Sequence, residues 1–387
     1  MRQIFSLCAI SLRLLVARPG PGVIIVLGMV GLVAVALSLS VIATAFEAAL
    51  VSTGKPDRAL VLRAGSTSEI NGSIPLGQYA LIRDLEAVDH ASRETYITVN
   101  LPMHNGTAQA TLPMRGTTNE SFTVRPEVEL VAGRAFAPGK YELIAGVKAA
   151  QIFAGLEPGK HIQIRGQSWL VTGLFSAEGS AFETELWVDE RLLAQALGRG
   201  DTFSSMLVQL TSAGAFEGFR ARLAEDRRLT VAAHRESTFY ADQAGPTTGL
   251  IRGLGWLVGI IMALGALTAA LNTMQSAMDA RAREVAVLQA LGFERLPLLV
   301  AVLIECTLLS LLGAAIAVAV VYLLLDGATL STVAAATSSG AQVAFRFTIT
   351  ANALVLAAAL ALVVGLLGGL VPGYRAIKRP VARSLRA

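Results

Sequence analysis

Four long apolar runs interrupt the chain, at residues 23–45, 250–271, 298–325 and 351–371. Each reaches the ~20 residues an α-helix needs to cross a hydrocarbon core of ~30 Å. Between the first two runs the pattern changes: apolar residues come in short, β-branched stretches bounded by Gly or polar turns. This predicts strands at 58–63, 95–101, 162–164, 169–175, 185–188 and 206–210. Helical spacing appears at 78–87, 147–153, 190–196 and 215–226. Strand, helix, strand over 58–101 is echoed over 206–234, beside the first and second spans. The two copies are expected to pair into a membrane-proximal lobe (50–114 plus 201–245), with 115–200 inserted as a second lobe. The predicted fold class is a membrane protein of four transmembrane α-helices, with an α+β extracytoplasmic domain inserted between helices 1 and 2. Its segments are 1–21, an interfacial helix; 22–46, the first span; 47–249, the extracytoplasmic domain; and 250–387, the remaining spans with a short helix at 280–292.

Composition agrees with the spans. Hydrophobic residues are 53% and charged residues 16% of the chain, and the mean hydropathy of +0.58 is well above that of an ordinary soluble domain. Charge then gives orientation. The first 21 residues, the 272–297 loop and the 372–387 tail hold eleven Lys/Arg against three acids, a local net of +8. Residues 46–249 hold 19 Lys/Arg against 23 Asp/Glu, a net of −4. The positive-inside rule places both termini and the 272–297 loop in the cytoplasm and the long acidic segment outside. The basic pI is therefore a topology signal, and nucleic acid is not an expected partner. The first span is too long for a signal-peptide core and reads as a retained anchor. Residues 2–17 mix apolar and basic positions as an interfacial amphipathic helix does. Of the two cysteines, Cys8 and Cys306, neither falls in the extracytoplasmic domain, which must be held by its own core.

No catalytic constellation stands out. The segment GLEPGKH at 155–161 has three residues between its glycines where a phosphate loop has four, and His161 stands where Ser or Thr would ligate magnesium. His90, His104, His161 and His234 lack metal-ligand spacing. The chain is thus expected to be non-catalytic and to bind no cofactor or metal. Glu305 is the intramembrane polar residue, about two turns into span three, where a carboxylate faces protein or water. Gly255 with Gly259, and Gly365 with Gly369, form small-xxx-small steps suited to close helix packing. In the 272–297 loop, Val285, Leu288 and Leu291 follow helical spacing behind Arg281 and Arg283, and Gly292 stands where a C-cap would.

Several stretches together resemble the permease subunits of MacB/FtsX-type ABC transporters: NTM at 272–274, ARAREVAVLQALGF at 280–293, Glu305, PGYRAIKRPVARSLR at 372–386, and AGVKAAQIFAGLEPGKHIQIRGQSWLVTGLF at 145–175. The chain departs from the family pattern at Gln289, where Arg is usual. The resemblance implies a dimer of permeases, homomeric or heteromeric, served by two copies of a cytoplasmic ABC ATPase that carries ATP and Mg. It implies that Arg281, Arg283, Glu284, Val285, Leu288, Leu291 and Gly292 form the coupling helix docking in that ATPase. Motion of the extracytoplasmic domain would then export or extrude a lipid, lipoprotein, peptide or small amphiphile. A periplasmic adaptor, an outer-membrane duct and membrane lipid are further expected partners, and the expected location is the bacterial inner membrane. The alternative is a transmembrane signalling scaffold that activates a cell-wall hydrolase or senses a ligand.

Overall fold

The computed structural model describes residues 19–104, 109–280, 287, 295–325, 329–331, 344–346 and 350–378. It divides into two units, one drawn from residues 1–44, 249–328 and 347–387, the other from residues 45–248 and 329–346.

In chain order the elements begin with helix α1 (Pro19–Val51), β1 (Arg58–Arg63), β2 (Ile74–Pro75), α2 (Gly77–Arg83), β3 (Val88–Pro102) and β4 (Gln109–Thr117). They continue with α3 (Glu120–Val124), β5 (Glu129–Gly133), β6 (Glu142–Gly146), α4 (Val147–Ile152), β7 (His161–Ile164) and β8 (Gln167–Ser176). A 3₁₀ turn (Ala181–Thr184) leads to β9 (Leu186–Asp189), α5 (Glu190–Ala196), β10 (Thr202–Phe203), β11 (Ser205–Leu210), α6 (Phe216–Glu225) and β12 (Val231–Arg235). Then come α7 (Glu236–Ala280), α8 (Arg295–Leu325), the short pair β13 (Thr329–Ser331) and β14 (Ala344–Arg346), and α9 (Ala351–Lys378).

The extracytoplasmic domain is built on one sheet of order β12-β1-β11-β3-β4-β9-β6-β8-β5, with β7 added on β8. The 15-residue β3 belongs to both halves: Val88 to Glu94 pairs with β11, and Thr95 to Pro102 pairs with β4. The β-α-β pair and its echo interleave as β12-β1-β11-β3, all antiparallel. Strand alternation divides the core. On β1, Ala59 and Val61 face a cluster with Ile82, Phe203, Phe216 and Phe219, while Leu60 and Leu62 face another with Phe175, Phe182, Trp187, Phe239 and Tyr240. A third cluster, around Leu112, Phe153 and Trp169, fills the β4–β9 half. Helix α5 starts where Asp189 accepts hydrogen bonds from the backbone N–H groups of Arg191 and Leu192, an N-cap.

Several expectations need correction. The helix expected at 78–87 stops at Arg83, with Asp84 as its C-cap, and the strand of 95–101 begins seven residues earlier, at Val88. β4, β5 and β6 were not anticipated, and β4 crosses the boundary drawn between residues 114 and 115. The span expected from residue 250 is the middle of a 45-residue helix that starts at Glu236 and continues through Pro246.

In the other unit, α1, α7, α8 and α9 are all long and apolar enough to cross a membrane. Helices α8 and α9 pack along their length, and α9 runs through Pro372 without ending.

Candidate functional site

The coupling residues Arg281, Arg283, Glu284, Val285, Leu288, Leu291 and Gly292 lie outside the described residues, between the end of α7 at Ala280 and the start of α8 at Arg295. Met274 and Met278 near that end of α7 pack on Val302 and Cys306 of α8, and Arg375 of α9 donates to Gln275 at 3.0 Å. Glu305 is buried. The glycine steps separate into two kinds. A Cβ at Gly365 would lie 2.8 Å from the Thr307 Cα, and one at Gly369 3.3 Å from the Leu303 Cα, so both let α9 approach the α8 backbone. By contrast, a Cβ at Gly255 would only touch Leu39 at 3.5 Å, and one at Gly259 would meet nothing within 4 Å. These two glycines instead wall an apolar cavity of about 310 Å³ with Leu39, Trp256, Leu356 and Arg252. A closer contact, not singled out from the sequence, is at Gly313, where a Cβ would lie 2.6 Å from the Met29 Cβ on α1. Among the described residues no group of His, Cys, Asp and Glu is arranged to hold a metal ion.

The most unusual chemistry is a buried ion cluster in the extracytoplasmic domain. It sits where β3 changes partner: Glu94 is opposite Ser205 on β11, and two residues on, Tyr96 is opposite Arg115 on β4. Arg115 is 1% exposed. It donates to Glu185 from Nε and Nη2 (2.8 and 2.9 Å), and from Nη1 to Glu69 and Glu94 (2.8 and 2.6 Å), over the ring of Tyr96 at 4.7 Å. Arg125, fully buried, donates to Glu94, lies 3.6 Å from Glu236 and stacks on Phe182 at 4.4 Å. Arg58 makes a two-pronged pair with Glu127, both bonds 2.6 Å, and also lies 3.6 Å from Glu236. Ser205 Oγ donates to Glu69 at 2.9 Å, the Tyr240 hydroxyl at 3.5 Å, and Trp187 Nε1 donates to Glu185 at 2.8 Å.

Three guanidiniums thus face five carboxylates with little water. Desolvation alone would raise the Glu94 pKa, but Arg125 and Arg115 outweigh it and hold Glu94 below the ordinary carboxylate range. The Arg115 pKa is driven well above its usual value by Glu185, Glu69 and Glu94, against the opposing effect of burial. Burial likewise pushes the Tyr96 phenol upward. Such a cluster cannot easily lose one member, since an uncompensated buried charge costs several kcal/mol.

Both chain crossings of the domain meet here. Just after α1, Thr53 Oγ1 accepts from the Ala181 N–H at 2.9 Å. Gly54 then crosses the start of α7 so closely that a Cβ would lie 2.5 Å from the Ser237 Cα. Sequence reasoning did not find the cluster, whose members are spread from Arg58 to Tyr240. Alternation hid it: the apolar positions are Ile97, Val99 and Leu101 on one strand and Ala110, Leu112 and Met114 on the other, so Glu94 and Arg115 fall on the opposite, polar face and read as solvated charges.

The model of the MacB-like periplasmic core domain matches residues 23–226, more than half of the chain. The chain belongs to the MacB/FtsX-type ABC permeases. The model of the FtsX-like permease C-terminal domain matches residues 256–381 and accounts for the remaining spans. The permease is therefore a membrane component of an ABC transporter of a family that works with cytoplasmic ABC ATPases, a multi-pass protein of the bacterial inner membrane. The periplasmic region of MacB from Actinobacillus actinomycetemcomitans is similar at 14% identity and TM-score 0.38, covering 48% of this chain and 92% of that one. The extracellular domain of the noncanonic ABC-type transporter YknZ from Gram-positive bacteria is similar at 19% identity and TM-score 0.37, covering 46% and 99%. No curated protein matches the permease.

Proposed function

We propose that the permease carries ATP-driven movement of its partner ATPase to the extracytoplasmic domain, and that this movement exports or extrudes a lipid, lipoprotein, peptide or small amphiphile. The observation that supports this most is the continuity of α7. One helix runs from Glu236, inside the domain's ion cluster, through an apolar span to Ala280, the residue before the basic 281–292 segment. A helix transmits displacement along its axis because each turn is hydrogen-bonded to the next. In this reading the termini are cytoplasmic and the 280–292 segment is the coupling helix. Val285, Leu288 and Leu291 fill an apolar groove of the ATPase, while Arg283 and Glu284 set register at its rim. ATP and Mg stay on the partner, and the working unit contains a second permease subunit.

The contact is tested by Leu288→Asp. An unpaired carboxylate in an apolar groove should weaken docking by ~2–4 kcal/mol. Co-purification of the ATPase should fall while membrane insertion stays normal. Undiminished co-purification would remove the 280–292 segment from the mechanism.

A further inference from the structure

Helix α7 enters the ion cluster at two positions on one face, Glu236 and Tyr240, four residues apart. Glu236 is 0% exposed, and the groups facing it come from three places in the chain. Its Oε2 accepts from the Lys55 N–H at 3.1 Å, on the segment leaving α1. Arg58 of β1 lies 3.6 Å from Oε2, and Arg125, just after α3, lies 3.6 Å from Oε1. Both guanidiniums spend their hydrogen bonds elsewhere, Arg58 on Glu127 and Arg125 on Glu94. Their hold on Glu236 is therefore coulombic and tolerant of small displacement, and it only partly offsets the burial that pushes the Glu236 pKa upward. The opposite side of the cluster is different in kind. Around Arg115, direct hydrogen bonds fix direction as well as distance. Tyr240 reaches that side, with its hydroxyl on Glu69 and its ring edge-on to Phe182 at 6.0 Å.

We infer that Glu236 is a positioning residue that fastens the first turn of α7 both to the segment leaving α1 and, through Arg125 and Glu94, to the seam between the two halves of the sheet. Movement of α7 in the proposed mechanism would be delivered there. The inference rests on that reading for its purpose, but the fastening can be measured without any nucleotide.

The test is amide hydrogen exchange on the full chain in lipid nanodiscs, comparing wild type with Glu236→Gln and Glu236→Asp. The Gln variant keeps the volume and removes the charge. Exchange at residues 94–96 and 114–116, more than a hundred residues away in sequence, should rise by about tenfold in the Gln variant, and by less in the Asp variant, which retains the charge. Acceleration confined to residues 234–240, or equal effects of Gln and Asp, would overturn the inference. Should Glu236→Gln fail to fold, Glu236→Asp alone, which draws the carboxylate back from Arg58, Arg125 and the Lys55 N–H, should raise exchange about threefold at residues 94–96 and 114–116. Unchanged exchange there would equally overturn it. The proposed function fails on a separate result, an extracytoplasmic domain that does not respond to ATP.

Discussion

Arg115 carries the clearest consequence at the scale of single residues. It is the shared partner of Glu69, Glu94 and Glu185. Arg115→Met keeps much of the volume and leaves three carboxylates facing one another, so the extracytoplasmic domain should lose ~3–5 kcal/mol of stability, read as a lower denaturant midpoint. A midpoint within error of wild type would show that the cluster is dispensable to the fold. A second residue-scale expectation concerns acid. Arg134 donates both Nη atoms to Glu142, and this pairing, helped by the Ala137 N–H, depresses the Glu142 pKa from 4.5 to about 2. A carboxylate with a depressed folded pKa stabilises above its unfolded pKa and loses that contribution as pH falls through the folded value. The pair's contribution should therefore be intact at neutral pH and disappear between about pH 4.5 and 2. Thermal midpoints measured across that window should fall less steeply in Arg134→Met than in wild type. The sequence showed none of these partners, because pairing between residues 21 to 70 positions apart, as around Arg115, depends on sheet register, which local spacing does not encode.

Elements were legible in proportion to how far local pattern decided them. β1 and α5 stand at the predicted residues, 58–63 and 190–196, because the short apolar run closed by an arginine at each end of RALVLR and the Asp189 cap are local signals. β6 is buried at every position and shows no alternation, so ELIAG merges with the helical pattern that follows it. β4 carries Pro113, which argues against an interior strand. It is tolerated because β9 pairs with β4 only from Met114 onward, leaving position 113 with a single paired neighbour. The four spans were legible from length and composition. Which glycines bring helices together was not, because GxxxG spacing is shared by a packed and an open face. The contrast is testable. Gly365→Ala places a methyl 2.8 Å from the Thr307 Cα and should cost ~1–3 kcal/mol as α9 shifts. Gly259→Ala meets open space and gains helix propensity, so it should be neutral or stabilising by up to ~1 kcal/mol. Thermal midpoints in detergent give the comparison, and equal losses at the two positions would contradict the packing described for α8 and α9.

At the scale of the whole molecule, the family, the four apolar helices and the domain between the first two are established. The work done by these parts follows from their connection. The domain is entered by α1 and left by α7, and both crossings pass through the same buried cluster. Among the described residues the four apolar helices carry little charge along their spans and are poorly suited to line a hydrophilic tunnel, whereas a helix rooted in the extracytoplasmic domain is suited to move it. The central claim is that nucleotide on the cytoplasmic side changes the separation of two extracytoplasmic domains. It is tested most directly by spin labels at Ser168→Cys, an exposed position on β8, after Cys8 and Cys306 are replaced by Ser, in the assembled complex with its ATPase in lipid. Binding of a non-hydrolysable ATP analogue should shift the distance distribution between the two labels, and its removal should restore it. A distribution that stays unchanged while the complex turns over ATP would contradict the account.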